Sequence, residues 1–285
     1  MFKRILIPVT AESLSYDVFQ YALEFATAIK AAVVLTYVMS ATDSDSEAES
    51  LLESYAQRAA NCAVPCQKHL TERLHGTLGN SIFQAAIQAD CDLILIGTHA
   101  LDRLSQILFG SITESLVHST HLPVLVLHQN MLHYTPIKTV LVPVDGQLPS
   151  NRAVALAASL APELAAELVF VHVVPDMSPP PTDVTGLSGL LYDPSGEISK
   201  LEAQSVTILQ HAQSEAGGLG TVQRLAANFE SVALRILESA TSQKADLIVM
   251  GTHGRVGLQR LLFGSVTQAV MHRATTPILV LHSDK

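Results

Sequence analysis

The sequence predicts an α/β protein built from two tandem doubly wound domains, each an open five-stranded parallel sheet with helices on both faces. Short apolar, partly β-branched runs alternate along the chain with segments in which apolar residues recur at helical spacing. Strands joined through helices form parallel sheets covered on both faces. The same pattern occurs twice in the same order, and 285 residues leave room for two domains of ordinary size.

The first strand–helix–strand unit shows the repeat most directly. Residues 4–10 and 138–145 are strand-like runs that end in the same Pro-Val step, and Pro143 lies 135 residues after Pro8. Each run precedes a helical pattern, at 13–30 and 150–164, and then a second apolar strand, at 33–38 and 168–173. This order predicts one βαβ unit at the start of each domain.

The rest of the repeat resumes at a larger offset of 154 residues. Residues 92–99 match 246–253, and the match holds through 108–111 with 262–265 and 123–128 with 277–282. We place the domains at residues 1–130 and 137–285, with a short polar connector between them. The last strands, 124–128 and 278–282, are expected to pair as antiparallel edges that join the halves and hide exposed sheet edges.

The two offsets differ by 19 residues, so the second half carries an insertion between Val173 and Asp246. Residues 175–196 are rich in Pro, Gly and Asp, which predicts a long surface loop. A flexible insertion is favoured there over a functional loop. The first half has instead an acidic stretch at 43–49, which predicts the solvated start of a helix.

Composition limits the classes of partner. The chain carries 17 basic and 26 acidic residues, a net charge of −9, which opposes binding to nucleic acid or to an anionic membrane. Its longest apolar window, residues 153–174, is interrupted by Pro162 and two glutamates. An odd number of cysteines indicates reduced thiols in a cytoplasmic protein rather than a disulfide framework: Cys62, Cys66 and Cys91.

Residues 246–267 combine a buried strand, a glycine-marked turn and a helix start. Gly251 ends the predicted strand, Gly254 and Gly257 follow at spacings of three, and Gly264-Ser265 opens a helix. Glycines let main-chain N–H groups turn toward one point, and a serine N-cap leaves the positive end of the helix dipole facing outward. The spacing Gly-x2-Gly-x9-Gly-Ser therefore predicts a phosphate-binding site.

Asp145 supplies the other end of this predicted site. Ligands of doubly wound sheets bind beyond the carboxyl ends of the strands, where the strand order reverses. Asp145 ends the first strand of its repeat; its carboxylate only accepts hydrogen bonds and would repel phosphate, so we expect it at the nucleoside end. Arg255 or Arg260 either adds charge beside a γ-phosphate or lies in solvent, and His253 either donates to a phosphate or closes the turn.

These motifs resemble the universal stress protein family in a tandem two-domain form. The resemblance is carried by Pro143-Val144-Asp145, by His172-Val173, and by residues 250–254 and 264–267. It implies an adenine nucleotide alpha hydrolase-like fold with strand order 3-2-1-4-5, ATP binding in the glycine-motif branch, and domain pairing through the fifth strands. A Mg²⁺ or Mn²⁺ ion, where present, would be held chiefly through the phosphates.

The same resemblance implies a role for individual residues. Asp145 and Val173 would contact adenine or its neighbourhood, Gly251 would lie beside the ribose, and Met250 would pack at the floor. Gly254, Gly264, Ser265 and Val266 would hold phosphates. The whole predicted nucleotide-binding set is Pro143, Val144, Asp145, Val173, Met250, Gly251, His253, Gly254, Arg255, Gly264, Ser265, Val266 and Thr267.

The first repeat departs from this pattern. Thr10 replaces the acidic residue, Ala100 stands at the second glycine and Arg103 at the third. An alanine forced to positive φ costs about 1 to 2 kcal/mol, and its methyl would intrude on the phosphate path. Gly97 and Gly110 remain, so we expect the fold to persist and one competent nucleotide site per chain, in the second domain.

The leading functional hypothesis is a cytosolic ATP-binding stress-response or regulatory protein. A slow ATPase or related nucleotide-processing enzyme is the first alternative, and an interaction scaffold without nucleotide is the second. No catalytic residue or metal ligand is assigned, because the G-x4-G-K-[ST] and G-x-S-x-G motifs are absent. A structural role is favoured over a zinc site for four histidines: His118, His121, His128 and His133. Protein partners stay unidentified, and a homodimer stays open.

Overall fold

The computed structural model describes residues 2–9, 16–40, 43–73, 76–98, 111–128, 135–174, 195–227, 230–252 and 264–282. Within them, strands and helices alternate in each half. The first half contains β1 (Arg4–Val9), α1 (Tyr16–Ala28), β2 (Ala32–Met39), α2 (Asp45–Asn61), β3 (Cys66–Glu72), α3 (Leu78–Gln88), β4 (Leu93–Thr98), α4 (Ser111–Ser119) and β5 (Val124–His128). The second contains β6 (Thr139–Pro143), α5 (Leu148–Leu164), β7 (Glu167–Val174), α6 (Ser195–Glu215), β8 (Thr221–Ala226), α7 (Val232–Ser242), β9 (Leu247–Thr252), α8 (Ser265–Arg273) and β10 (Ile278–His282).

The ten strands form a single sheet in the order β3-β2-β1-β4-β5-β10-β9-β6-β7-β8. Each half therefore has the predicted order 3-2-1-4-5, with parallel neighbours inside the half. The halves meet where β5 pairs with β10 in the antiparallel direction, with Leu125 opposite Leu279. The α/β class, the doubly wound order and the pairing of the fifth strands are confirmed.

Two apolar layers cover the sheet, one on each face. Alternate residues of a strand point to opposite faces, so that Ile5 and Ile7 of β1 enter one layer and Leu6 enters the other. The first layer is closed by α1, α2, α5 and α6, and the second by α3, α4, α7 and α8. Both layers run through the two halves without a break, so the domains share one continuous core.

A carboxylate ties together the amino ends of the two central strands of each half. Asp246, just before β9, accepts hydrogen bonds from the main-chain N–H groups of Lys138 (2.8 Å) and Thr139 (3.0 Å) at the start of β6. Asp92 binds the corresponding N–H groups of the first half at 2.8 and 3.0 Å. The duplicated Asp-Leu-Ile sequence thus has a structural use far from the predicted site.

Several predicted boundaries need correction. The strand β9 ends at Thr252, one residue beyond the predicted end at Gly251. The helix α5 begins at Leu148 with Gln147 as its N-cap, two residues before the predicted start at Ser150. The Ser150 hydroxyl donates to the Gln147 carbonyl at 2.9 Å, so this serine lies inside the first turn. The acidic stretch of the first half does open a helix, α2, with Asp45 in its first turn.

The described residues hold no helix that is both long and apolar enough to cross a membrane.

All three cysteines are free thiols, and burial raises the pKa of Cys91 to about 12 and that of Cys66 to about 11. Both of these thiols are therefore protonated and weakly nucleophilic at neutral pH.

Candidate functional site

The strand order of the second half reverses between β6 and β9, and we call the space beyond the carboxyl ends of these two strands the crevice. These strands pair at Val140 with Leu247 and at Leu141 with Ile248, whereas β6 pairs with β7 over five residues as far as Pro143. Beyond Leu141 the β6 and β9 ladders separate while both strands continue. Crevices of this kind, at the carboxyl edge of a doubly wound sheet, are the usual ligand sites of the fold.

The turn after β6 forms the first wall of the crevice. Asp145 is exposed at the strand end, and its Oδ1 accepts the main-chain N–H of Gln147 at 2.9 Å. Between them Gly146 has φ +77°, a left-handed conformation that favours glycine, and a Cβ there would lie 3.1 Å from the side chain of Ile208 in α6. The Asp-Gly pair therefore makes a tight turn beneath a helix and presents the carboxylate to solvent.

The end of β9 forms the second wall, and it touches the first. A Cβ on Gly251 would lie 2.3 Å from the carbonyl carbon and oxygen of Pro149, in the first turn of α5. The absent side chain lets β9 approach the α5 start closely, which brings Gly251 against the segment that begins with Asp145. Thr267 of α8, which is 2% exposed, donates its hydroxyl to the Gly251 carbonyl at 3.1 Å and fixes the helix start on the strand end.

The helix α8 begins at this wall, with one correction to the predicted cap. Gly264 is the N-cap, in an extended conformation (φ −62°, ψ 134°), and Ser265 is the first helical residue, exposed, with Val266 half-buried behind it. The cap glycine has no side chain to satisfy the first-turn N–H groups. Along this fully described helix no acidic residue occupies the first turn. An anion at this end would meet both main-chain donors and the positive end of the dipole.

An apolar surface lies on one face of the sheet behind the crevice. Val173 and Met250 are 7% and 4% exposed and belong to the same apolar layer, and Val266 packs against that layer. Pro143 is buried at the end of β6, and Val144 is buried in the layer of the opposite face. Flat apolar groups of a nucleoside are accommodated by surfaces of this type.

Several predicted positions lie outside the described residues. They are His253, Gly254, Arg255, Gly257 and Arg260 of the second half, Thr10, Ala100, Arg103 and Gly110 of the first, His133, and residues 175–194 of the predicted loop. The structure therefore brings together Pro143, Val144, Asp145, Gly251, Gly264 and Thr267, with Val173, Met250 and Val266 on one face. Gly97 is the penultimate residue of β4, as Gly251 is of β9.

Two buried histidines lie at the ends of the strands that join the halves. The Nδ1 of His282 is 3.3 Å from Thr252 Oγ1, and the Nδ1 of His128 is 3.4 Å from Thr98 Oγ1. Burial lowers the pKa of each imidazole to about 4; the nearby positive charge of His272 adds to this effect at His128. No group of three or more side chains suited to a metal ion occurs in the described part of the chain.

Three features of the site escaped the sequence interpretation. Gly146 could have been found from the Asp-Gly dipeptide, a frequent turn signal. The helix α4 carries Glu114 in its first turn, whereas the matching position of α8 is the neutral Gln268, a difference visible at the offset of 154 residues. The third is His172, whose Nδ1 lies 2.7 Å from the Val144 carbonyl oxygen.

The strand order and the alternation of strands and helices define a tandem of two doubly wound α/β domains. The Universal stress protein family matches the chain twice, over residues 1–128 and 136–282. Together these matches cover nearly the whole sequence, and the chain belongs to this family.

Individual relatives agree with this assignment. Universal stress protein Rv2005c of Mycobacterium tuberculosis is 29% identical over 197 residues, 68% of this chain and 63% of that protein, so the match spans less than two thirds of the relative's length. Universal stress protein MJ0531 of Methanocaldococcus jannaschii is 35% identical over 153 residues, 52% of this chain and 84% of that protein. The crystal structure of a universal stress protein from Archaeoglobus fulgidus shares the fold, with a TM-score of 0.72, 19% identity and 98% of each chain covered.

Proposed function

We propose that this protein binds an adenine nucleotide, ATP, in the crevice of its second domain and acts as a cytoplasmic stress-response or regulatory protein. The observation that carries the proposal is the contact between the two walls: Gly251 packs on Pro149, four residues from the exposed carboxylate of Asp145. One crevice therefore has an acceptor for hydroxyl or amine groups at one side. The start of helix α8 lies at the other side of the crevice and favours phosphate.

The charges at the two equivalent helix starts favour the second domain. In α4 the first turn contains Glu114, whose carboxylate offsets the positive end of the dipole and would repel phosphate. In α8 the neutral Gln268 leaves this end for an external anion. Together with Thr10, Ala100 and Arg103 in the first repeat, this difference supports one nucleotide site per chain.

The residues available for the ligand fit the parts of ATP. Val173, Met250 and Val266 offer an apolar surface for adenine, and the main chain after Gly264 offers donors for phosphate. Among the described residues the positive contribution comes from main-chain N–H groups at the start of α8. A divalent ion, where present, would be held chiefly through the phosphates. We propose domain limits of 1–130 and 137–285 for the two units.

Calorimetric titration of the nucleotide-free full-length chain with ATP tests the proposal. We expect one site per chain, lost in the double variant Gly254→Val with Gly264→Val, because the added side chains block the phosphate path. The matched control, Ala100→Val with Gly110→Val in the first repeat, should bind like the wild type. Two equivalent sites, or unchanged binding by the double variant, would contradict the proposal.

The nucleotide that copurifies with the protein separates the remaining alternatives. Mass spectrometry of the released ligand should find ATP, and prolonged incubation should leave the added ATP intact. Steady turnover to ADP would favour the slow ATPase, for which the described residues offer no assigned general base. A chain that neither copurifies with nucleotide nor binds it would act as an interaction scaffold.

A further inference from the structure

Val144, the residue that follows β6, is held by both the main chain and a side chain of β7. The parallel ladder pairs Pro143 with Val171, and the next N–H, that of Val144, donates to the Val171 carbonyl at 2.8 Å. The Val144 carbonyl is met by a side chain: His172 Nδ1 lies 2.7 Å from its oxygen. Since a carbonyl only accepts, this Nδ1 carries the hydrogen.

These two bonds fix the peptide group that leads into Asp145. Val144 is not paired with a residue of β9, because the ladder between β6 and β9 ends at Leu141 with Ile248. On the β7 side both of its main-chain polar groups are bound. Contacts with β7 therefore set the direction in which the Asp145 side chain leaves the strand. The imidazole of His172 makes one of the two hydrogen bonds that hold Val144 to β7.

The turn that follows adds a second constraint on the same carboxylate. Asp145 Oδ1 accepts the N–H of Gln147, and the Asp145 N–H donates to the Ser150 hydroxyl at 3.4 Å. The position of the carboxylate is thus constrained by the hydrogen bond from His172 to Val144 before it in the chain and by a tight turn after it. Binding groups held in one orientation bind ligands with a smaller loss of entropy.

The first repeat uses the equivalent position differently. Tyr37 lies 135 residues before His172, and its hydroxyl donates to Asp43 Oδ2 at 3.2 Å. Asp43 also accepts the N–H of Ser40 at 2.7 Å, so the tyrosine secures the connection after β2 and not the end of β1. The second half thus has both the histidine in β7 and the aspartate after β6, whereas the first half has Tyr37 and Thr10 at the equivalent sequence positions.

We infer that His172 is a positioning residue of the nucleotide site: its Nδ1–H holds the Val144 carbonyl and so orients the Asp145 carboxylate toward the nucleoside. The inference rests on the proposed function, because ATP is the ligand that Asp145 would meet. His172 contacts the main chain of Val144, and the inference assigns it no contact with ATP. Its effect on binding must therefore pass through Asp145.

Titration of ATP into the full-length chain, with three variants, tests this role. His172→Phe removes the donor and should weaken binding about tenfold, equivalent to about 1.4 kcal/mol. His172→Asn places an amide N–H near the position of Nδ1 and should bind within about threefold of the wild type. In an Asp145→Ala background, His172→Phe should have no further effect, since the group it orients is gone. Unchanged binding by His172→Phe, or multiplied losses in the double variant, would overturn the inference.

A second readout does not depend on ATP. Amide hydrogen exchange in residues 144–148 of the ligand-free chain should be faster in His172→Phe than in the wild type or His172→Asn. Equal exchange in all three proteins would show that the tie has no constraining role. If wild-type protein binds no ATP, the proposed function fails, and faster exchange would still support the constraint on Val144. If His172→Phe does not fold, His172→Gln, whose amide extends to the level of Nε2, takes its place with the same expectations.

Discussion

The hydroxyl of Thr252 and the imidazole of His282 are hydrogen-bond partners, 3.3 Å apart, at the ends of β9 and β10. Thr98 and His128 repeat the pair at the ends of β4 and β5. Each pair is buried, with His282 7% and His128 2% exposed, and each links the strand that ends in the Gly-Thr step to the strand that joins the domains. In each half, the seam strand, β5 or β10, is therefore bonded to the strand that lies next to it at the reversal of strand order.

Acid should destabilise this seam. Burial holds the pKa of His128 and His282 at about 4, below the 6.5 of the unfolded chain, so the unfolded state takes up protons first as the pH falls. The stabilisation is complete above about pH 6.5 and is lost down to about pH 4, at roughly 3 kcal/mol for each histidine. Thermal unfolding measured from pH 7.5 to 4.5 should show a steep fall in Tm.

The matched variants replace each imidazole by a group that does not titrate in this range. His128→Asn with His282→Asn should flatten the dependence of Tm on pH between 6.5 and 4.5, whatever its effect on Tm at pH 7.5. A double variant as acid-sensitive as the wild type would assign the effect to other groups.

Gly251→Ala should destabilise the second domain through a steric clash. The new methyl would lie 2.3 Å from the Pro149 main chain, where neither β9 nor α5 can yield without repacking. We expect a loss of about 3 kcal/mol in the free energy of unfolding, measured by urea denaturation. The control is Gly196→Ala in α6, where a Cβ meets nothing within 4 Å and alanine should stabilise by up to about 1 kcal/mol. Equal stability of the two variants would contradict a steric clash between the new methyl and Pro149.

Removal of the carboxylate before β9 should also be costly. Asp246→Ala leaves the N–H groups of Lys138 and Thr139 without their acceptor and should lower the free energy of unfolding by about 2 kcal/mol. Asp246→Asn keeps one oxygen, which can accept from both, so its loss should be about half as large. Asp92→Ala in the first half should repeat the alanine result. Equal losses for Asn and Ala would show that charge alone, and not the acceptor, is responsible.

A charge placed at the α8 start should weaken nucleotide binding. Gln268→Glu introduces the carboxylate that α4 carries as Glu114, and we expect ATP affinity to fall about fivefold at low salt. The difference should shrink as added salt screens it. The reciprocal control, Glu114→Gln, should leave the affinity unchanged. A rise in affinity or a second site in Glu114→Gln would place a nucleotide in the first domain as well.

The repeat and its strands could be predicted because they depend on local sequence. The two joining strands, Val124–His128 and Ile278–His282, begin and end where their apolar runs do. Proline before each run marks the start, and burial on both faces demands an uninterrupted apolar sequence. The doubly wound order follows from the alternation of strands and helices, while the order 3-2-1-4-5 required a family resemblance.

The exact ends of elements and the contacts between them could not be read in this way. Ser265 was expected as the N-cap, but Gly264 has the extended conformation of the cap, and the serine takes the first helical position. The apolar run that ends at Gly251 gives no sign that Thr252 continues the strand. The bond from His172 to Val144 joins residues 28 apart, and only the register of β6 against β7 brings them together.

The antiparallel pairing of β5 with β10 makes the first domain a permanently attached partner of the second. Ile278 and Val280 of β10 are fully buried, and Val280 lies opposite Val124 of β5, so the second domain needs a neighbour at this edge. Covalent fusion supplies it at any protein concentration, where a dimer of separate domains would dissociate on dilution. Because strand direction reverses at this seam, the carboxyl ends of the strands of the two halves lie at opposite ends of the sheet. A molecule bound at the carboxyl end of one half therefore leaves the carboxyl end of the other half free for a second molecule.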